Sequence, residues 1–183
     1  LQGYTDPGSP GRDWNVATGM VIEGKAGFQI MGDWAKGEFT AAGKEPGVDY
    51  YCAATPSNNG YLYNVDSFIF YKSDDPDKQD GQKLLAKLMM GKNFQKVFNL
   101  YKGSIPARLD VSMDEFDNCA KTSNADIKTA GAKGGLVPSF AHGMAQGNTM
   151  KAALQDIITE HFNSDMSSVD AANALADSVL ANM

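Results

Sequence analysis

No run of apolar residues in this chain approaches the ~20 that a membrane-spanning helix requires, so no segment reads as one. Cysteine is scarce: Cys52 and Cys119 are the only two, and they lack the CxxC or Cys/His spacing of a metal or redox site. Glycine-rich phosphate loops are missing as well. "AKGG" at Ala132 lacks the Walker spacing, and "GYLYN" at Gly60 carries a single glycine. Neither HExxH nor GxSxG occurs, and no nucleophile–base–orienter set is evident. The reading therefore contains no catalytic residue, no metal ligand and no cofactor. An excess of positive charge is also lacking. Lys and Arg number 16 against 22 Asp and Glu, for a net charge of −6 and a pI near 4.8. Such a chain suits neither phosphate backbones nor anionic lipid, which excludes nucleic acid as a partner. Repeats and low-complexity tracts are not found.

The 183 residues fit one large domain or two small lobes, and 43% hydrophobic with 21% charged residues is ordinary for a globular protein. A chain opening at Leu1 rather than Met is expected to be processed, trimmed or partial. Residues 1–13 read as loop. The spacing of Trp14, Ala17 and Val21 predicts a helix that Gly24 stops. Ala26–Met31 reads as a strand, Asp33 as the N-cap of a helix over 34–42, and Gly43 as its end. Asp49–Thr55 is expected to be a strand, 57–60 a turn, and 61–71 β-rich. Leu84, Leu85, Leu88 and Met89 form the stripe of one helix; Phe94, Val97, Phe98 and Tyr101 form that of the next. "KGSIPARLD" is an extended loop, because Pro106 pushes Ile105 out of helix. Residues 114–129 look helical, and "AKGGLVPSFAHGMAQGN" looks like loop. Two helices close the chain, the second opened by Ser167 with Asp170. Strands in the first half and helices in the second point to an α/β or α+β class with short strands.

The segment "FQIMGDWAKGEF" raises a question of its own. Gly32 allows a tight turn, Asp33 caps, and Trp34 lies at the edge of a sheet, where ligands of α/β folds tend to bind. A tryptophan offers a flat apolar face and one N–H donor. A sugar has a face of C–H groups and a rim of hydroxyls, and carboxylates, amides, Lys and His suit that rim. Trp34 is also readable as a core residue, and this stretch alone favours that reading. His142 lies in a loop-like segment and His161 late in a helix, where a cation is favoured. Asp66 is a strand-end surface residue or a ligand contact, and Lys102 a solvated lysine or a cation near a site. The two cysteines are buried thiols or one disulfide closing a long loop in an oxidising compartment.

Four stretches share one resemblance: "WNVATGMVIEGKAGFQIMGDWAKGEFTAAGK", "NVDSFIFYK", "LAKLMMGKNFQKVFNLYKGSIPARLDV" and "LVPSFAHGMA". In this order they resemble the extracellular solute-binding proteins of carbohydrate ABC transporters, above all the glucose or glucose/mannose branch. "MGDW" and "KGSIPAR" are the most specific parts. The resemblance implies an α/β periplasmic binding protein fold of two lobes with hinge crossovers, of which this chain is roughly the C-terminal half. Residues 1–64 and 111–183 would belong to the second lobe, and 65–110 would cross into the first. It implies a periplasmic receptor that captures glucose or a related hexose between the lobes, delivers it to a membrane permease and does no chemistry. Trp14 and Trp34 would be its aromatic sugar contacts, Asp66, Lys102 and His142 its polar ones, and Cys52–Cys119 a disulfide. The N-terminal half of the same protein would be a necessary partner. Two other classes remain open on residues alone. A carbohydrate-active hydrolase would use Asp66 or Asp33 with a second acid about 5–9.5 Å away, and an α/β interaction domain would keep both tryptophans in its core.

Overall fold

A computed structural model describes residues 8, 9, 11–56 and 60–182. The chain divides into two units, one built from residues 60–64 and 135–182, the other from 8–56 and 65–134. The fold is mixed helix and sheet.

In the first unit, β1 (Tyr61–Tyr63) pairs in parallel with β2 (Leu136–Pro138), in the register Tyr61 to Leu136 and Tyr63 to Pro138. The ladder continues at both ends. The Tyr61 N–H donates to the Gly135 carbonyl, and the Ser139 N–H donates to the Tyr63 carbonyl. Two helices pack on each other, α6 (Asn148–Asn163) and α7 (Ser168–Ala181). The Ser167 hydroxyl caps α7 by accepting from the Asp170 N–H at 3.1 Å, and it donates to the Asp170 carboxylate at 2.6 Å, as the sequence leads one to expect. Met150 and Ala171 are buried here. Phe140, Leu154, Ile158, Leu175 and Val179 line an apolar groove.

The second unit carries the remaining helices. They are α1 (Trp14–Ile22), α2 (Lys36–Ala41), α3 (Pro76–Met89), α4 (Lys92–Lys102) and α5 (Asn118–Ala132), with a 3-10 turn at Asp33–Ala35 leading into α2. Local chemistry sets their ends. The Asp75 carboxylate accepts from the Asp77 and Lys78 N–H groups ahead of Pro76, which suits a first helical position. Gly24 and Gly43 close α1 and α2 with φ of +71° and +69°. Asp117 caps α5 by accepting from the Ala120 N–H at 2.8 Å. The core is Ala35, Phe39, Met89, Val111, Phe116 and Ala120. Phe39 stacks on Tyr50 at 4.2 Å between ring centroids, and burial together with the Asp117 charge pushes the Tyr50 hydroxyl up to about 12. Cys52 and Cys119 form a disulfide with Cα atoms 5.6 Å apart.

Several expected elements take another form. Residues 26–31 and 49–55 are not strands; they are irregular segments with no ladder among the described residues, save an isolated bridge from Pro46 to Tyr50. Of 61–71 only Tyr61–Tyr63 is strand, and Phe68 and Ile69 stand in solvent. β-Propensity yields a strand only where a neighbouring strand offers N–H and C=O partners. Part of the loop-like segment does find such a partner and becomes β2. α5 starts at Asn118 rather than 114, since Asp117 spends its carboxylate as the cap. The stripe of α1 is not its buried face: Thr18 is fully buried, its hydroxyl donating to the Trp14 carbonyl at 3.0 Å, while Trp14 is exposed. On α4 the buried residue is Asn99, and Val97, Phe98 and Tyr101 are exposed. The expected turn at 57–60 and loop at 1–13 fall partly or mostly outside the described residues.

Candidate functional site

The turn carrying Trp34 is held from an unexpected direction. Asp33 does not cap the helix it precedes; Gly32 occupies the cap position, with no side-chain cap bond. The Asp33 carboxylate instead accepts the N–H of Ile105 at 2.9 Å, across 72 residues of chain. Gly32 also departs from expectation. Its φ of −71° and ψ of 164° are extended backbone open to any residue. What requires glycine is space: a Cβ there would lie 2.1 Å from the six-membered ring of Trp34. The indole is folded back over Gly32 and is partly buried.

Opposite this turn, α4 ends at Lys102 and the chain reverses at Gly103, whose φ is +87°. This left-handed conformation favours glycine. The reversal sits backbone to backbone against the start of α2. A Cβ on Gly37 would lie 2.9 Å from the Lys102 carbonyl oxygen, and one on Gly103 would lie 2.7 Å from the Gly37 nitrogen. Two glycines therefore permit the start of α2 and the "KGSIPAR" stretch to meet.

Lys102 projects its ammonium to the Asp66 carboxylate, forming an ion pair, and its Nζ lies 5.9 Å from the centre of the Phe98 ring. Asp66 keeps 62% of its side chain exposed, so the pair faces solvent on the carboxylate side. A carboxylate can accept about four hydrogen bonds and an ammonium can donate three. Both groups therefore suit the hydroxyls of a ligand. Burial pushes the Asp33 carboxyl above the usual carboxylate range, against the opposing pull of the Ile105 N–H, of the Lys36 and Lys102 charges, and of Ser104. The Ser104 hydroxyl is buried near that carboxylate yet is aligned with no hydrogen-bond partner.

Behind the site Lys36 is buried, and its Nζ donates to Asp117 Oδ2 at 2.6 Å. Burial pushes the Asp117 carboxyl up. The hydrogen bond from Lys36, the N–H groups of Ala120 and Cys119 and the Lys36 charge outweigh it and hold the carboxyl below its ordinary value.

Thus Trp34, Lys102 and Asp66, expected from the sequence, lie in one unit, and Lys102 and Asp66 are in direct contact. Trp14, in the same unit, opens α1, which packs on α2; its carbonyl accepts from the Gln29 amide at 3.1 Å. His142 belongs to the other unit, where its Nδ1 lies 2.7 Å from the buried hydroxyl of Ser139. His161, near the end of α6, has its Nε2 3.2 Å from the Ser168 hydroxyl. Sequence reasoning missed the tie from Asp33 to Ile105, the burial of Lys36 and the pair Gly37 and Gly103. The available signal was the coincidence of the two most specific stretches, each with a glycine beside its charged residue. Among the described residues no group of three or more His, Cys, Asp or Glu is placed to hold a metal ion.

No family model matches the chain. It is 47% identical over 180 residues to a probable sugar-binding periplasmic protein of Brucella suis, an alignment covering 98% of this chain and 42% of that protein. A probable sugar-binding periplasmic protein of Rhizobium meliloti is 43% identical over 180 residues, covering 98% of this chain and 43% of its own length. An uncharacterized ABC transporter extracellular-binding protein of Pyrococcus horikoshii is 34% identical over 158 residues, 86% of this chain and 34% of that protein. The chain spans less than half the length of the curated relatives it matches.

Proposed function

We propose that this chain is the C-terminal half of a periplasmic sugar receptor, which binds glucose or a closely related hexose between two α/β lobes and delivers it to the permease of an ABC importer. The observation that carries the reading is the grouping of the Asp66–Lys102 pair and the partly buried Trp34 within one unit. That grouping lies in a chain that aligns almost end to end with proteins named for binding sugar in the periplasm. The chemistry fits the ligand. The indole offers a face for the C–H side of a pyranose, the carboxylate accepts from hydroxyls, and the ammonium donates to them. Trp14 and His142 are assigned sugar contacts in the same proposal, on the resemblance.

In this reading residues 1–64 and 111–183 belong to the second lobe, and 65–110 cross into the first. The exposed apolar run Phe68–Tyr71 and the exposed leucines Leu84, Leu85 and Leu88 on α3 support it. Apolar surface of this extent is ordinarily covered by a partner, and the relatives have the additional length to supply one within the same protein.

Substitutions at the contacts test the reading, with both halves of the protein present. Trp34→Ala is expected to weaken glucose binding by at least ~1–2 kcal/mol, as aromatic anchors do beyond their buried area. Asp66→Asn keeps the shape and removes the charge, and hydrogen bonds to charged groups contribute about 1.5–3 kcal/mol. Isothermal titration of each folded variant reads the loss. Parent-like affinity in both would leave Trp34 a packing residue and Asp66 a surface ion-pair partner of Lys102.

A further inference from the structure

The contacts assigned to the sugar do not explain why Asp33 is partly buried, since it neither caps its own helix nor pairs directly with a cation. Its one hydrogen bond of good geometry runs to a backbone N–H in the loop that begins at Lys102. That loop also meets the start of α2, where Gly103 lies against Gly37. Its next anchors are the Ala107 N–H, donating to the Gln95 side chain at 3.2 Å, and Arg108, whose guanidinium pairs with Asp110 and donates to the Met90 carbonyl at 3.1 Å. Both of these anchors hold the far end of the loop to α3 and α4. Asp33 alone among these anchors links the Lys102 end to the residue next to Trp34.

The surroundings of that link are built for close approach. Gly37 and Gly103 meet backbone to backbone with no room for a Cβ on either. Ser104 sits between them and Ile105 in sequence, with its hydroxyl buried and lacking an aligned partner. Lys36 and Lys102 both act on Asp33 by charge, opposing the rise that burial imposes.

We propose that Asp33 is a positioning residue for sugar binding: by accepting the Ile105 N–H it fixes the Lys102 loop against the Trp34 turn, so that ammonium and indole face the same ligand. The proposal rests on the reading of Trp34 and Lys102 as sugar contacts. Asp33 does not touch the sugar. It sets the distance between one side chain that covers the apolar face and another that donates to the rim. A ligand site held by packing and hydrogen bonds behind it binds better than one whose loops must be ordered on arrival.

A double-mutant cycle in the two-halved protein, with glucose as the probe, tests this. Asp33→Ala removes the acceptor and is expected to weaken glucose binding about tenfold or more. Asp33→Asn keeps an acceptor oxygen and is expected to restore affinity to within about threefold of the parent. In a Lys102→Met background Asp33→Ala is expected to cost less than about threefold, because the group it positions is gone. A residue that served only the fold would cost the same in both backgrounds. Should Asp33→Ala not fold, Gly37→Ala perturbs the same junction from the other side, and its cycle with Lys102→Met is expected to show the same loss of effect. Equal costs in both backgrounds, or parent-like binding by Asp33→Ala, overturn the inference while leaving the sugar site intact. Parent-like binding by Lys102→Met and Trp34→Ala would instead overturn the reading of the site itself.

Discussion

An Asp117→Ala protein is expected to lose about 3 kcal/mol of folding stability, near the low end of what breaking a buried ion pair costs. Lys36 has only 8% of its side chain exposed, and its ammonium donates to Asp117 at 2.6 Å. Truncating the carboxylate leaves a cation inside the unit with no counter-charge. Asp117 itself is about a third exposed, which moderates the effect. The same substitution removes the cap of α5, a further ~1 kcal/mol. Asp117→Asn separates the two contributions, since it can still accept from the Ala120 N–H but carries no charge. Replacing both partners, Lys36→Met with Asp117→Asn, is expected to recover much of the loss, because the apolar side chain needs no partner. The pH dependence has a definite sign. The folded Asp117 carboxyl titrates below its ordinary value. Its contribution is therefore fully present above the unfolded value near 4 and is lost as pH falls through the folded one. Urea unfolding at neutral and acid pH reads both effects. Parent-like stability of Asp117→Ala at pH 7 would mean that Lys36 reaches water on its own.

Removing the disulfide is expected to cost about 4 kcal/mol. Cys52 and Cys119 are 67 residues apart in sequence, and in the chain-entropy account a closed loop of that length restricts the unfolded ensemble by roughly this amount. The bond ties the 49–55 segment, which has no ladder of its own to hold it, to the first turn of α5. Cys52→Ser with Cys119→Ser is expected to lower the urea midpoint correspondingly. The loss should not add fully to that of Asp117→Ala, because Cys119 lies two residues beyond Asp117 and its N–H helps to stabilise that carboxylate. Thiol labelling of the denatured, unreduced protein is expected to find no free cysteine. Two reactive thiols would contradict the bridge and the oxidising compartment it implies.

Much of the helical part was legible in the sequence. α1 follows from the spacing that begins at Trp14, α3 from Pro76 behind the polar break, and α7 from Ser167 and Asp170, because caps and stops act within a few residues. Strands were harder. Residues 26–31, 49–55 and 65–71 have the composition of strands, yet a strand is a relation between two segments, and only Tyr61–Tyr63 has its partner among the described residues. Apolar stripes were legible as patterns but not as burial. Leu84, Leu88 and Tyr101 form regular faces that remain in solvent, since periodicity marks a face without saying what covers it. The candidate site was legible in its residue types and not in its construction. Trp34, Asp66 and Lys102 stand out by chemistry and by resemblance. The bond from Asp33 to Ile105 does not, because Asp33 before a helix has the local signature of a cap, and only the fold brings a distant N–H into competition for it.

This chain is expected to supply half of a site that holds a hexose and returns it unchanged. The most direct test is isothermal titration of glucose into the protein with both halves present, followed by recovery of the sugar from the complex. Saturable binding of one glucose per protein and release of the same molecule intact are expected. A folded protein that binds no hexose, or one that cleaves a glucoside under the same conditions, would contradict this expectation.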